Sequence, residues 1–176
     1  RLRTMDEQGI DKTWLFPTLG LLYEEHLKGD PGAVTAMFSA FNRWLLDDWG
    51  FAYRDRIFGS PSISLCDIDW AVRELEWALD NDARTIVIRP APIQTARDLL
   101  APADPVFDPF WARVNEAGIT VVAHAGNTGF SVPGYAPPHG FQTGPASGGY
   151  RMSLGVLHIE FERVIHDFLG SIMVDR

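Results

Sequence analysis

"GITVVAHAGNTG", residues 118–129, decides how this chain is read. An apolar run of strand type climbs from Ile119 to Ala123 and stops at a histidine, His124. Gly126, Asn127 and Gly129 follow, small or turn-forming residues that leave room beside the ring. A strand with no polar face is buried on both sides, as in a parallel sheet covered by helices. Ligands gather at the carboxyl ends of such strands, so a titratable ring placed there is a candidate for chemistry.

Working outward, the same kind of element recurs. "RTIVIRPAP" (84–92) is apolar on both faces until Arg89, and "KTWLFPT" (12–18) is a short aromatic and β-branched run. "RIFGSPSISL" (56–65) is a further strand, weakened by Gly59 and Pro61. Between the strands lie helix signals. Asp30-Pro31 offers an N-cap and a first-turn proline before Val34, Met37, Phe38, Phe41 and Leu45 at helical spacing, up to Gly50. Asp67 caps a stripe of Ile68, Val72, Leu75 and Leu79 ending near Asn81, and Asp108-Pro109 starts a helix closing at Gly118. Residues 126–153 read as a long Gly-, Pro- and Ser-rich loop, and Leu157 to Ile172 as a last amphipathic helix.

Strand and helix therefore alternate, with short connections and no linker or repeat. The fold class is α/β, as an open doubly wound sheet or as part of a (β/α)₈ barrel. A whole barrel needs roughly 250 residues. The 176 residues here form one domain with about four strand–helix units. "RLRTMDEQGI" opens as the last turns of a helix closing at Gly9, and "FLGSIMVDR" stops with apolar periodicity still running. Both ends read as cut inside a longer protein. As a whole molecule, such a half-barrel would leave strand edges open and is expected to associate or aggregate.

Charge and composition narrow the class. The formal net charge of −8, with both signs mixed along the chain, argues against nucleic acid and anionic membrane as partners. No apolar run approaches a membrane span. One cysteine, Cys66, rules out an internal disulfide framework, so the expected location is cytoplasmic.

The strand ends hold the candidate residues: Thr18, the group Leu65–Asp67, Arg89, and His124 with Asn127. Imidazole suits zinc and similar cations and titrates near neutral pH; the alternative is a core histidine bonded to a carbonyl. A metal site needs three or four ligands, and His26, His139, His158 and His166 form no H-x-H or H-x-x-x-H pair with it. His139, in "YAPPHGF", lies on the long loop and could be drawn over the site. Arg89 needs an anion, either a substrate carboxylate or a neighbouring Asp or Glu. Cys66 is a nucleophile or, more simply, a buried spacer. The block "FNRWLLDDWGFAYRDRIFG" (41–59) is a helix packed on the sheet, or else a pocket wall or subunit contact.

Four long segments carry a resemblance: "MDEQGIDKTWLFPT", "AFNRWLLDDWGFAYRDRIFGSPSISL", "DPVFDPFWARVNEAGITVVAHAGNTG" and the final helix. They resemble the amidohydrolase-related superfamily (amidohydrolase 2), in the branch that includes aminocarboxymuconate-semialdehyde decarboxylase. The resemblance implies a (β/α)₈ TIM barrel, here strands two to five with their helices. It also implies a divalent metal, often zinc, at the carboxyl-end mouth. His124 matches the family's ligand at the end of strand five. The family's H-x-H pair on strand one, its histidine after strand six and its aspartate after strand eight fall outside these residues.

The activity implied is that of a metal-dependent hydrolase or decarboxylase, a carbon–carbon lyase, working through a metal-activated water. Its substrate would be a small carboxylated compound, aromatic in one version, with homo-oligomers compatible. Arg89, Trp14, Phe16, Asn127 and His139 would bind substrate and His124 the metal. A reading from another class makes the fragment a non-catalytic binding or assembly module. A third makes it an open-sheet protein using Cys66.

Overall fold

The computed structural model describes residues 1–17, 20–91 and 93–124, with Leu22 by its backbone alone. Asn127, His139, the 126–153 loop and the final helix lie outside the described residues, as does Thr18.

Local signals set most helix ends. α1 (Leu2–Gln8) closes on Gly9, whose φ of 68° is the left-handed conformation that glycine adopts without strain. α2 (Leu22–Leu27) is a single short turn-and-a-half in the connection that follows β1 (Thr13–Leu15). α3 (Pro31–Asp48) starts where Asp30 accepts a hydrogen bond from the Ala33 amide at 3.0 Å. α4 (Ile68–Asp80) starts in the same way, with Asp67 accepting from the Trp70 amide at 2.9 Å. α5 (Asp108–Ala117) starts at Asp108 and closes on Gly118, as the sequence suggests, with one addition before it. Asp104 caps a preceding 3₁₀ turn, Pro105–Phe107, so Asp108 sits inside the first helical turn. There its carboxylate faces the positive end of the helix dipole.

The strands are β1, β2 (Ile57–Gly59), β3 (Thr85–Ile88) and β6 (Thr120–Ala123). β1 pairs with β2 and β3 with β6, both in parallel, and a parallel bridge from Ser62 to Val87 joins the two pairs. The order is therefore β1–β2–β3–β6, with each helical crossover leading to the next strand. A short antiparallel ribbon, β4 (Ile93–Gln94) with β5 (Leu99–Leu100), lies in the connection after β3. The sequence offered no signal for it.

The 56–65 strand is shorter than its apolar pattern suggested, and the reason is local. Pro61 has no amide hydrogen, although its carbonyl still accepts from the Val87 amide at 2.8 Å. On the other edge the last bond to β1 among the described residues is from the Ser60 amide to the Leu15 carbonyl, and a side chain takes over. Asn42 of α3 accepts from the Ser62 amide at 2.8 Å and donates to the Ser62 carbonyl at 2.9 Å. One carboxamide thus stands in for a neighbouring strand. Gly59 is required nearby, because a Cβ there would stand 2.7 Å from the Gly50 carbonyl oxygen.

The helices pack on one side of these strands. Val34, Phe38 and Leu45 of α3, Ala71, Leu75 and Ala78 of α4, and Phe110 of α5 are buried in one cluster with Ile63, Ile86 and Val87. The opposite face is concave. Phe16, one residue past β1, and His124, one past β6, have ring centroids 6.3 Å apart. Their strands are three steps apart, about 14 Å along a flat sheet, so the sheet must curl to bring the rings together. That curl makes the four strands a sector of a barrel wall; the described residues do not close a barrel. No described helix is long and apolar enough to cross a membrane.

Candidate active site at the strand ends

Parallel pairing puts the carboxyl ends of all four strands on one edge. Phe16, Arg89 and His124 follow the last residues of β1, β3 and β6, and Ser64 follows the 61–63 segment that pairs with β3 beyond β2. His124 is held there by register: Ala123 pairs with Ile88, and the His124 amide donates to the Ile88 carbonyl at 3.1 Å. The ladder so extends one residue past the strand and fixes the Cα from which the ring projects. Its ring is partly buried and meets Phe16 edge-on at 66°.

Trp14 and Phe16 share one face of β1, since side chains alternate along a strand. Trp14 stacks on Phe58 at 5.2 Å, with the rings 19° from parallel. Both Trp14 and Phe16 stay substantially exposed, at 47% and 41%. Two large aromatic surfaces thus line the concave side below the His124 ring. Such a wall suits a flat apolar ligand.

Arg89 is in a different environment. It is 8% exposed, and its guanidinium meets two carboxylates carried by α2. Nη1 donates to Glu25 Oε2 at 2.5 Å, and Nε stands 3.4 Å from Glu24 Oε2. The structure thus supplies the ion pair that the sequence offered as the alternative to a substrate carboxylate. Ser64, in the connection after β2, donates from Oγ to Glu24 Oε1 at 2.6 Å. Three successive strand-end connections therefore meet in one buried polar cluster.

The two glutamates titrate in opposite directions. Burial pushes Glu24 above the ordinary carboxylate range, more than Arg89 and Ser64 pull it down. Burial also works against Glu25, but hydrogen bonds from Lys28 and Arg89 outweigh it and hold that carboxyl low. The sequence reading passed over Glu24, Glu25 and Ser64. The available signal was "YEEH" (23–26), an acidic pair in a strand-end connection of a chain whose Arg89 needed an anion.

Cys66 is buried, and burial pushes its thiol up to about 11. Relative to the ordinary 9.0, the thiolate population at neutral pH falls about 100-fold. Iodoacetamide at neutral pH is therefore expected to alkylate the folded protein at least about 100-fold more slowly than an unhindered thiol. Rapid alkylation, followed by mass spectrometry, would contradict this. The nucleophile reading of Cys66 has no support in its surroundings.

Among the described residues, no three His, Cys, Asp or Glu side chains are grouped to hold a metal ion. His124 fits as one donor, and the described residues do not complete a coordination shell around it.

The amidohydrolase family model matches residues 1–168. The chain belongs to the amidohydrolase family. Among solved structures, an amidohydrolase from Mycobacterium avium subsp. paratuberculosis K-10 is 35% identical, with a TM-score of 0.81. The match covers 99% of this chain and 42% of that one. A 2,6-dihydroxybenzoate decarboxylase from Rhizobium is 19% identical over 97% of this chain and 50% of its own, with a TM-score of 0.65. A dihydroxybenzoic acid decarboxylase from Polaromonas sp. JS666, with bound manganese and the inhibitor 2-nitroresorcinol, is 18% identical. Its TM-score is 0.62, covering 97% of this chain and 48% of that one. These two likenesses show a shared fold. The chain spans half or less of each of these proteins. No curated protein matches. Family membership sets aside the open doubly wound alternative, and the curled parallel order agrees with a barrel sector.

Proposed function

We propose that the protein containing this chain is a metal-dependent hydrolase or decarboxylase acting on a small carboxylated, flat substrate. The observation that carries the reading is the place of His124. It stands at the carboxyl edge of a parallel strand in an amidohydrolase, beside the exposed faces of Phe16 and Trp14. The manganese and inhibitor bound by the Polaromonas decarboxylase, and the substrate in the Rhizobium protein's name, support the metal and the carboxylated aromatic class.

In this reading His124 gives a ring nitrogen to the cation, which is zinc or manganese, and the remaining donors come from outside the described residues. The cation's contribution is Lewis acidity and a water acidic enough to ionise near pH 7. Phe16 braces the imidazole edge-on, and Trp14 with Phe58 forms the apolar floor. Asn127 and His139 are proposed to reach the substrate from the segment after β6, and Arg89 to meet its carboxylate. The whole domain is then a single barrel of like units that works without nucleic acid or membrane, and the cytoplasm is its proposed location.

A chelator tests this directly. Dialysis of the full-length protein against a strong chelator is expected to abolish turnover of a 2,6-dihydroxybenzoate-type substrate. Stoichiometric zinc or manganese is expected to restore it. Activity that survives complete removal of metal, measured by elemental analysis, would overturn the metal-dependent reading.

A further inference from the structure

Glu24 and Glu25 stand next to each other on α2 and share one guanidinium. Glu25 has the short contact with Arg89, and Lys28 as a second cation. Glu24 is held more loosely. Its Oε1 takes the Ser64 hydrogen bond, while Oε2 has the Arg89 Nε at 3.4 Å without hydrogen-bond geometry. Yet Glu24 is 6% exposed, so its charge is costly where it lies. A cavity of about 10 Å³ opens at this point, lined by Glu24, Ser64, Arg89, Ile63, Ile88 and Ile93. That is room for about one water-sized group.

We propose that this cavity is a proton-linked subsite for one oxygen of a ligand carboxylate, gripped by Arg89 and by a protonated Glu24. The charge count is the argument. Glu24 takes one proton from solvent onto Oε2 and ceases to be a counter-ion of Arg89. The incoming carboxylate replaces that negative charge, so the charge around the buried guanidinium is unchanged. The new Glu24 O–H donates to the ligand oxygen, and Ser64 keeps its bond to Oε1. An ionised Glu24 would instead repel the ligand and occupy the Arg89 Nε edge.

Among the described residues, the groups that act on Glu24 fit this exchange. Arg89 comes from the end of β3 and Ser64 from the connection after β2. Glu25 lies on the same helix, with Lys28 behind it, and Cys66 is more distant and uncharged at neutral pH. Burial, which already favours the protonated form of Glu24, leaves Glu25 as the fixed partner of Arg89. The inference rests on the proposed function only for the class of ligand, a carboxylate.

Benzoate is the probe, titrated into the full-length protein by calorimetry over about pH 5 to 9 in two buffers of different ionisation enthalpy. Above the Glu24 midpoint the expected result is uptake of about one proton per benzoate bound, and affinity that falls roughly tenfold per pH unit. Glu24→Gln is expected to remove both effects and to bind benzoate more tightly than the wild type at the alkaline end. Arg89→Met is expected to lose binding. If either variant fails to fold, proton uptake by the wild type decides alone. Benzoate binding without proton uptake and with pH-independent affinity over the whole range, or no binding at any pH, overturns the proposal. Metal content, read separately, reports on His124, so failure of the metal reading leaves this result distinct.

Discussion

His124→Ala, made in the full-length protein, is expected to lose its bound divalent metal and its turnover together. The fall in kcat/KM should exceed the 10- to 100-fold or so that follows from removing a residue that only braces a ligand. Unfolding is not the expected cause. The bond that ties residue 124 to the sheet is made by its amide to the Ile88 carbonyl, and alanine keeps that amide. The ring is partly buried, and Phe16 is its aromatic neighbour at 6.3 Å, so the stability change should stay within about 1 kcal/mol. Metal content by elemental analysis and the thermal midpoint together separate the two outcomes. A variant with full metal occupancy and intact activity would show that the imidazole is a wall residue.

The position of His124 was legible because it needs only local information: an apolar run, its end, and the rule that parallel strands keep their ligands at one edge. The same holds for the caps. Asp30, Asp67, Gly9 and Gly118 each act within a few residues of themselves, and each marks a helix end where the sequence placed it. Arg89 shows where this kind of reading stops. That it needed an anion was evident, but its partners lie 64 and 65 residues earlier on a six-residue helix too short to show a period. The choice between a substrate carboxylate and an internal one is made by tertiary packing. Pro61 is intermediate: its missing amide foretold a weak strand, while the substitute pairing from Asn42 could not be foreseen. An asparagine and a glutamate at helical spacing look like solvent-facing residues until two helices are brought together.

That pairing is where the largest loss of stability is expected. Asn42 has no exposed surface, and its carboxamide makes three hydrogen bonds: two with the Ser62 backbone, and one to Glu74 Oε1 at 2.8 Å. Glu74 is itself 3% exposed and also receives Arg43 and, at 3.5 Å, Ser39. Asn42→Leu keeps the volume but strands the Ser62 amide and carbonyl and removes a donor from a buried carboxylate. Each orphaned backbone group costs about 1–3 kcal/mol, and weakening a buried charge network adds to that. The expected loss is about 3–5 kcal/mol, of the order found when one member of a buried ion pair is deleted. Asn42→Asp should do no better. It keeps the acceptor for the Ser62 amide but sets a second carboxylate against Glu74. Urea unfolding of the full-length protein reads the effect as a lowered midpoint. A wild-type midpoint for Asn42→Leu would mean that the strand past Pro61 is held by its β3 edge alone, through the Ile63–Val87 bond at 2.9 Å and the Val87–Pro61 bond at 2.8 Å. In that case α3 would be packed on the sheet by Val34, Phe38 and Leu45 with no polar anchor.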